Sequence, residues 1–553
     1  MSATPPEMIV KNRFLGFLIW QSIPSSAIFI LFKTFISTIT TNTATSTSSS
    51  SRNPLLSYAP SLITLLTFFT FHLSQLLFSA SLSLVSSPHP HRPAYPFELI
   101  VGFVRFLLVS DSSSASVPVD FRLRAKVSLS FVLFVAACAV SGSLGMVSVC
   151  WVKSSGFDVE WVIRGFGVGL LYGLVYVYKR RWVLEFPIIQ RPPFFSFKMG
   201  LPSATTCAFA LSGVAYLFSA VLRAILPDPF KRQVTVRKYI TEQIIFCIGS
   251  FAMFLCWELS HHLHRVLHTK RFTFAPPKGS AAAETNPSEH LLAALEESNR
   301  SSLLQYLAYL DLCMVCENNV DTWRRAAFFE ETGETYKRVT AVCLRPLEEL
   351  ALKLAEGLES QVDKTSQLSS QLLSPADSHL ESKHWEPLNN FQACNNGIKI
   401  PCGKRTVASL TAGSHTEDRC GVAQLSGSNA AVISTLLSCL LAVETFMGKK
   451  THVQTPSHLM GPAGIKWATS STRRIDGAVA KKRGGPLHSK AYAVADVLRT
   501  SIYNIVSAFH DEMLSSAKAG LLEKDWIISS KPLFGTHELL LQKLRLFLDF
   551  RAS

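Results

Sequence analysis

Four histidines that follow the last long apolar segment form the one cluster whose residue types could do chemistry. They are His261, His262, His264 and His268. Some membrane oxidases hold iron with several histidine boxes near span ends, so a metal site is the sharper interpretation. A metal needs three or more converging ligands supported by further hydrogen bonds. The other histidines that could serve as ligands are His89 and His91, which lie in a proline-rich loop. We therefore predict that the histidines flank the membrane with their rings towards the headgroups. No catalytic, cofactor-binding or metal residue is predicted.

Two further patterns favour helix packing over chemistry. Cys313 and Cys316 form a lone C-x-x-C with no second pair, which is typical of a buried helix face. Gly165, Gly169 and Gly173 recur every four residues inside an apolar segment, so they share one helix face and would let a second helix approach closely. GxSxG, P-loop and HExxH motifs are absent from the sequence. We predict that the chain is not an enzyme.

Composition divides the chain into two parts. Of the 553 residues, 48% are hydrophobic and only 17% charged, whereas about a quarter of the residues in soluble domains are charged. Glu7 is the single acidic residue up to Phe97, while charges of both signs are frequent beyond Thr269. The formal charge of +15 could indicate nucleic-acid binding, but basic loops beside membrane spans explain it more simply.

The apolar segments predict a polytopic membrane domain over residues 1–268. A span needs about 20 apolar residues, and the N-terminal segment is too long for a cleaved signal core. Residues 97–109 are short for a span and carry Arg105, so they predict an interfacial or re-entrant helix. The six predicted spans are 14–39, 62–85, 127–149, 161–178, 204–226 and 240–259.

Six spans place both termini on the same side of the membrane. Positive charge concentrates in the segments on that side, which favours the cytosolic compartment. The contrary cluster is Lys231, Arg232, Arg237 and Lys238 on the opposite side.

Beyond the membrane domain the sequence predicts soluble helices and linkers. Residues 269–285 form a linker, 286–362 an α-helical domain and 363–428 a disordered linker. Residues 429–553 form a C-terminal helical region with a basic linker at 449–490. Asn286 and Glu289 have the spacing of a capping box. The apolar stretch 429–447 favours a buried soluble helix over a seventh span.

The last helix is predicted at His537–Arg551 and is amphipathic. Its apolar face could pack against protein or lie on a membrane. That face consists of Leu540, Leu541, Leu544, Phe547 and Leu548.

Three stretches carry a resemblance to a known family. They are MIVKNRFLGFLIWQSIP from Met8, FDVEWVIRGFGVGLLYGLVYVYKRRWVLEFPIIQRPPFFSFKMGLPSA from Phe157, and GIKWATSSTRR from Gly464. With them the chain resembles the nuclear-division-cycle (Ndc) family of transmembrane nucleoporins, in its plant branch. The resemblance implies an all-α protein with about six spans and a cytosolic or nucleoplasmic helical tail. It also implies anchoring of the nuclear pore complex in the nuclear envelope, support of pore assembly, and a role in protein and mRNA transport.

The same resemblance implies the partners. These are an Aladin-type WD-repeat nucleoporin and the inner-ring linker nucleoporins, bound through the tail, together with the lipid bilayer. It implies no cofactor, no small-molecule substrate and no specific nucleic acid. The alternative hypothesis is a multispan endomembrane enzyme or transporter, motivated by charged residues inside the spans and by the histidine cluster.

Overall fold

The residues that the computed structural model of the protein describes form helices joined by turns and loops, with one isolated bridge between Ser87 and Val183. It divides into two compact units at Arg271 and Phe272. This confirms the predicted all-α class. The described residues are 6–44, 62–88, 119–150, 159–187, 191–225, 236–276, 279–297, 302–317, 322–368, 399–448, 486–528 and 530–552.

The described part of the first unit contains six long helices, one for each predicted span. Each contains a stretch long and apolar enough to cross a membrane. Their outward faces carry large exposed apolar side chains, as a bundle in lipid requires. The helices are α1 Pro6–Ala44, α2 Leu62–Val85, α3 Val119–Cys150, α4 Val159–Tyr178, α5 Pro193–Ile225 and α6 Val236–His268.

Several of these helices extend beyond the predicted spans. Helix α5 begins at Pro193, before the start of the predicted fifth span, 204–226, and passes through Pro202. Helix α6 continues past the end of the predicted sixth span, 240–259, through the histidines to His268. Hydropathy detects the apolar centre of a helix, whereas backbone hydrogen bonds continue into its polar ends. The predicted segment 97–109 and the basic residues Lys231 and Arg232 lie outside the described residues.

The glycine face of α4 packs directly on α3, as the four-residue spacing predicts. A Cβ placed on Gly169 would lie 2.0 Å from the backbone oxygen of Cys138, and one on Gly165 would lie 2.6 Å from that of Gly142. The contact is equally close from the side of α3, since a Cβ placed on Gly142 would lie 2.3 Å from the backbone oxygen of Gly165. The two backbones therefore touch with no room for a side chain between them.

Aromatic rings fill the centre of the bundle. Phe78 of α2 stacks on Trp257 of α6 with ring centroids 5.3 Å apart, and Tyr172 of α4 lies 5.1 Å from the same indole. All three side chains are almost fully buried. This cluster holds α2, α4 and α6 together.

In its described residues the second unit, 272–553, packs further helices around one apolar helix. Two of its helices, α9 and α10, contribute a buried ion pair, in which Arg324 donates to Asp311 at 2.7 Å. The helices are α7 Ala281–Thr285, α8 Glu289–Leu295, α9 Leu303–Glu317, α10 Thr322–Ala326, α11 Glu334–Leu368, α12 Lys399–Glu417, α13 Val422–Leu425, α14 Ser428–Gly448, α15 Pro486–Ala508, α16 His510–Lys518, α17 Leu522–Trp526 and α18 His537–Ala552.

Helix α14 is the seventh helix of the described chain that could cross a membrane by length and composition. However, 72% of its most apolar window is buried within the protein, against 22–50% for the six helices of the first unit. Its neighbours are α11, α15 and α18, which carry charged outer faces. It is therefore the core helix of the second unit, as the sequence predicts.

The predicted domain boundaries within this unit need correction. Residues 399–417, assigned to a disordered linker at 363–428, form α12, which packs on α9, α11 and α15. Its buried face includes Thr406, Thr411 and Ser414 beside Val407 and Leu410, so hydropathy underrates it. Residues 369–398 lie outside the described residues. The predicted domains 286–362 and 429–553 share one compact unit.

Other local predictions in the second unit have mixed outcomes. Cys313 and Cys316 are buried free thiols on α9, which confirms the helix-face interpretation. The predicted capping box is wrong, because α8 begins at Glu289 and its N-cap residue, Ser288, makes no capping hydrogen bond. The basic linker 449–490 is described only from Pro486, where α15 begins.

The last helix packs against protein, which decides between the two interpretations of its apolar face. Leu540, Leu544 and Leu548 are buried against α14 and α15. Lys543 binds Glu444 of α14 at 2.8 Å. Helix α18 therefore completes the second unit.

Candidate functional site

The histidine cluster lies on the last three turns of α6, but it does not point towards lipid headgroups. His261, His264 and His268 are 4%, 1% and 5% exposed. Their spacing puts them on one helix face, which meets aromatic rings of α1 and α4. Phe17 lies 5.1 Å from the His264 ring and Tyr176 lies 5.2 Å from the His261 ring, both edge-on. The prediction that these histidines snorkel is therefore wrong.

Their ring nitrogens serve packing within the bundle. The Nδ1 of His268 lies 3.1 Å from the backbone oxygen of His264, and the two rings stack at 3.8 Å. The Nε2 of His262 lies 3.1 Å from the backbone oxygen of Ser196 at the start of α5. Within the residues that the structure describes, no group of three or more His, Cys, Asp or Glu side chains converges as metal ligands would.

Arg13 of α1 caps the C-terminus of α6. Its guanidinium donates to the backbone oxygens of Leu267, His268 and Lys270 at 3.2, 2.6 and 2.5 Å. The last carbonyls of a helix have no partner inside that helix, and a cation there also opposes the helix dipole. In the sequence Arg13 is only a charge beside a span, so its role as a cap has no local signal.

Two ion pairs between arginine and glutamate fix the segment after α4 onto α6. Arg181 donates two hydrogen bonds of 2.5 Å to Glu258, which is 2% exposed. Burial alone would lower the pKa of Arg181, but the hydrogen bonds to Glu258 outweigh it and raise the pKa above its ordinary value. Arg265 binds Glu185 of the same segment at 2.8 Å. The pairs are 77 and 80 residues apart in sequence, so no motif could reveal them.

The end of α2 joins the same arrangement. Ser87 donates its backbone N–H to the oxygen of Trp182 at 3.1 Å and accepts from the N–H of Leu184 at 3.0 Å. The buried Trp182 ring lies 5.2 Å from Phe131 of α3. We call this end of the bundle, where α1, α3 and α5 begin and α2, α4 and α6 end, the histidine end. Its polar groups hold the ends of the described helices in register.

A small cavity marks the second unit. It has a volume of about 310 Å³. Two of its lining groups, the Ser288 hydroxyl and the Trp323 indole N–H, are buried without a hydrogen-bond partner among the described residues. Glu289 and Glu330 also line it. Since buried polar groups are nearly always satisfied, this cavity suits a ligand with hydrogen-bond acceptors.

Comparison with known proteins identifies a family for this chain. Residues 99–397 match the family described as nucleoporin protein Ndc1-Nup. No curated protein matches the chain. Of the three stretches that carry the resemblance, the one from Phe157 lies inside the matched residues, and the match covers more than half of the 553 residues. The chain therefore belongs to the Ndc1-Nup family of nucleoporins.

Proposed function

We propose that the chain anchors the nuclear pore complex in the membrane of the nuclear envelope and supports pore assembly, and thereby protein and mRNA transport. The observation that carries this proposal is the division at Arg271 and Phe272. On one side lies a six-helix bundle with apolar outer faces, and on the other a unit that buries its most apolar helix. Such a chain can hold a soluble assembly at a bilayer. Membership in a family of nucleoporins supports the nuclear pore complex as that assembly.

In this proposal both termini lie on the cytoplasmic and nucleoplasmic side. The support is the charge at the histidine end, where exposed cations such as Arg122, Lys126, Lys179 and Arg180 gather. Positive charge favours the untranslocated side of a membrane.

The second unit is proposed to dock the partners that the family resemblance implies. These are an Aladin-type WD-repeat nucleoporin and the inner-ring linker nucleoporins. A stable interface needs roughly 800 Å² from each partner, which the second unit can offer outside the bilayer. The cavity beside Ser288 and Trp323 offers unsatisfied donors for a partner's carbonyl oxygens.

The test measures where the protein lies in the cell and which proteins co-purify with it. A fluorescent tag at the C-terminus should light a punctate nuclear rim, and affinity purification should recover nucleoporins. An even distribution over the plasma membrane or Golgi contradicts the proposal. Recovery of metabolic enzymes in place of nucleoporins supports an endomembrane enzyme or transporter instead.

A further inference from the structure

The early start of α5 places residues outside the hydrocarbon layer. The apolar segment Pro193–Val221 has 29 residues, so at 1.5 Å per residue it is about 43 Å long. The hydrocarbon core of a bilayer is only about 30 Å thick. The surplus amounts to two to three turns, and the exposed cations Arg191 and Lys198 at the start of α5 place it in the headgroup layer at the histidine end.

One face of these first turns is fixed to α6. The ring of His262 stacks on Phe197 with centroids 5.9 Å apart. A Cβ placed on Gly200 would lie 2.0 Å from the Nε2 of His262. The helix start therefore cannot rotate without losing these contacts, and its opposite face is held outward.

That outward face is both apolar and basic. Phe194, Phe195 and Met199 are 70%, 57% and 63% exposed, and Lys198 is exposed between them. Large apolar side chains so exposed have a favourable place where a bilayer meets water. Tyr178, at the end of α4, is 87% exposed.

More exposed cations lie beside this face. Lys179 and Arg180 follow α4 directly, and Arg191 precedes α5. None of these, nor Lys198, pairs with a carboxylate in the part of the chain that the structure describes. The nearby carboxylates, Glu185 and Glu258, are already bound by Arg265 and Arg181. Both segments attach to the last three turns of α6, so their charges gather at one place.

We propose that this surface, which we call the basic collar, binds the headgroups of anionic phospholipids. The cations contact the lipid phosphates and carboxylates, while the exposed rings enter the boundary with the acyl chains. Lipid is favoured over nucleic acid because the cations alternate with apolar side chains at the level where the spans end. The inference needs only the membrane bundle and is independent of docking by the second unit. The basic collar consists of Tyr178, Lys179, Arg180, Arg191, Phe194, Phe195, Lys198 and Met199.

The test measures lipid preference with the full chain in nanodiscs of phosphatidylcholine and phosphatidylserine. Spin-labelled phosphatidylserine and phosphatidylcholine report, by electron paramagnetic resonance, which lipid is held at the protein surface. The collar variant replaces the four cations by glutamine. A matched control changes the same amount of charge on exposed cations of the second unit. Its substitutions are Lys518→Gln, Lys524→Gln, Lys531→Gln and Arg545→Gln.

The wild type and the control should prefer phosphatidylserine, and 0.5 M salt should weaken that preference, because exposed charges are screened within about 3–4 Å at that concentration. In the collar variant, the ratio of phosphatidylserine to phosphatidylcholine held at the protein surface should fall by at least about tenfold. Its melting temperature should equal that of the control, since the four side chains are exposed. A collar variant that keeps the wild-type preference overturns the proposal, as does a wild type without one. If a single-stranded RNA oligonucleotide binds the wild type, and the collar variant loses RNA binding but keeps its lipid preference, the surface is a nucleic-acid site and the proposal is wrong.

Discussion

Replacing Gly169 by alanine tests the backbone contact between α3 and α4. The new Cβ would lie 2.0 Å from the oxygen of Cys138, whereas ordinary contact begins at 3.4 Å. To reach ordinary contact the helices would have to part by about 1.4 Å, and a gap of about 1 Å already forfeits up to half of the dispersion energy across it. Overpacking typically costs about 1–3 kcal/mol, and a clash with rigid backbone belongs at the upper end.

Alanine also favours the helix more than glycine does, by about 0.8–1.0 kcal/mol. The net destabilisation is therefore about 2 kcal/mol, or about thirtyfold in the equilibrium for separating the two helices. Gly213→Ala in α5 is the matched control, because no atom lies within 4 Å of its Cβ position. It should gain the helix preference without a clash.

The assay is maleimide labelling of Cys138, which is fully buried at this contact. The full chain in nanodiscs is labelled for increasing times, and the modified peptide is counted by mass spectrometry. Labelling should be about thirtyfold faster in Gly169→Ala and unchanged or slower in Gly213→Ala. Cys316, in the second unit, should label equally in all three proteins. Equal labelling of Cys138 in Gly169→Ala and wild type refutes the close packing of α3 on α4.

Three further predictions concern the second unit. Asp311→Ala leaves the buried Arg324 without its carboxylate, so hydrogen exchange of α9 should accelerate by the equivalent of about 3–5 kcal/mol; unchanged exchange contradicts a structural ion pair. Burial alone would raise the pKa of Glu444, but hydrogen bonds from two cations outweigh it and hold the pKa below 4.5. Its contribution to stability is therefore complete above pH 4.5 and lost as the pH falls further, and Glu444→Gln should flatten this part of the melting-temperature profile. Trp323→Phe removes an N–H that has no partner among the described residues, so it should leave the melting temperature nearly unchanged and reduce recovery of nucleoporins; full recovery excludes the cavity as a docking point.

The features that could be predicted from the sequence are those with a local signal. The bounds of α2 follow from an uncharged, mostly apolar run between Pro60 and Pro88. The contact of α4 with α3 follows from the spacing of Gly165 and Gly169, because the period of a helix fixes which residues share a face. In each case the residues that define the feature are neighbours in the chain.

Features assembled from distant residues could not be predicted. The contacts of Arg13 with the end of α6 span more than 250 residues, and the charge itself indicates only membrane topology. In the sequence Glu258 is an ordinary acidic residue at the end of a span, and only the fold shows that Arg181 binds it. The prediction that the histidines point towards the headgroups is wrong for the same reason, because the aromatic rings that surround them come from α1 and α4.

Polar residues in helices account for the other errors. Helix α12 buries threonine and serine side chains, which hydropathy scores as surface. The first turns of α5 contain two prolines and four aromatic or basic side chains, a composition typical of a loop. A helix can begin at proline because the missing N–H would have no partner there in any case.

The measurement that tests the central claim most directly is truncation after Arg271, where the two units divide. The truncated chain and the full chain are expressed separately in cells that lack the intact protein, each with the same N-terminal tag, and nucleoporins that co-purify are counted. The account predicts that the truncated chain resists alkaline extraction from membranes as the full chain does, but loses its nucleoporin partners. Full recovery of nucleoporins by the truncated chain would contradict the account, because docking would then belong to the bundle.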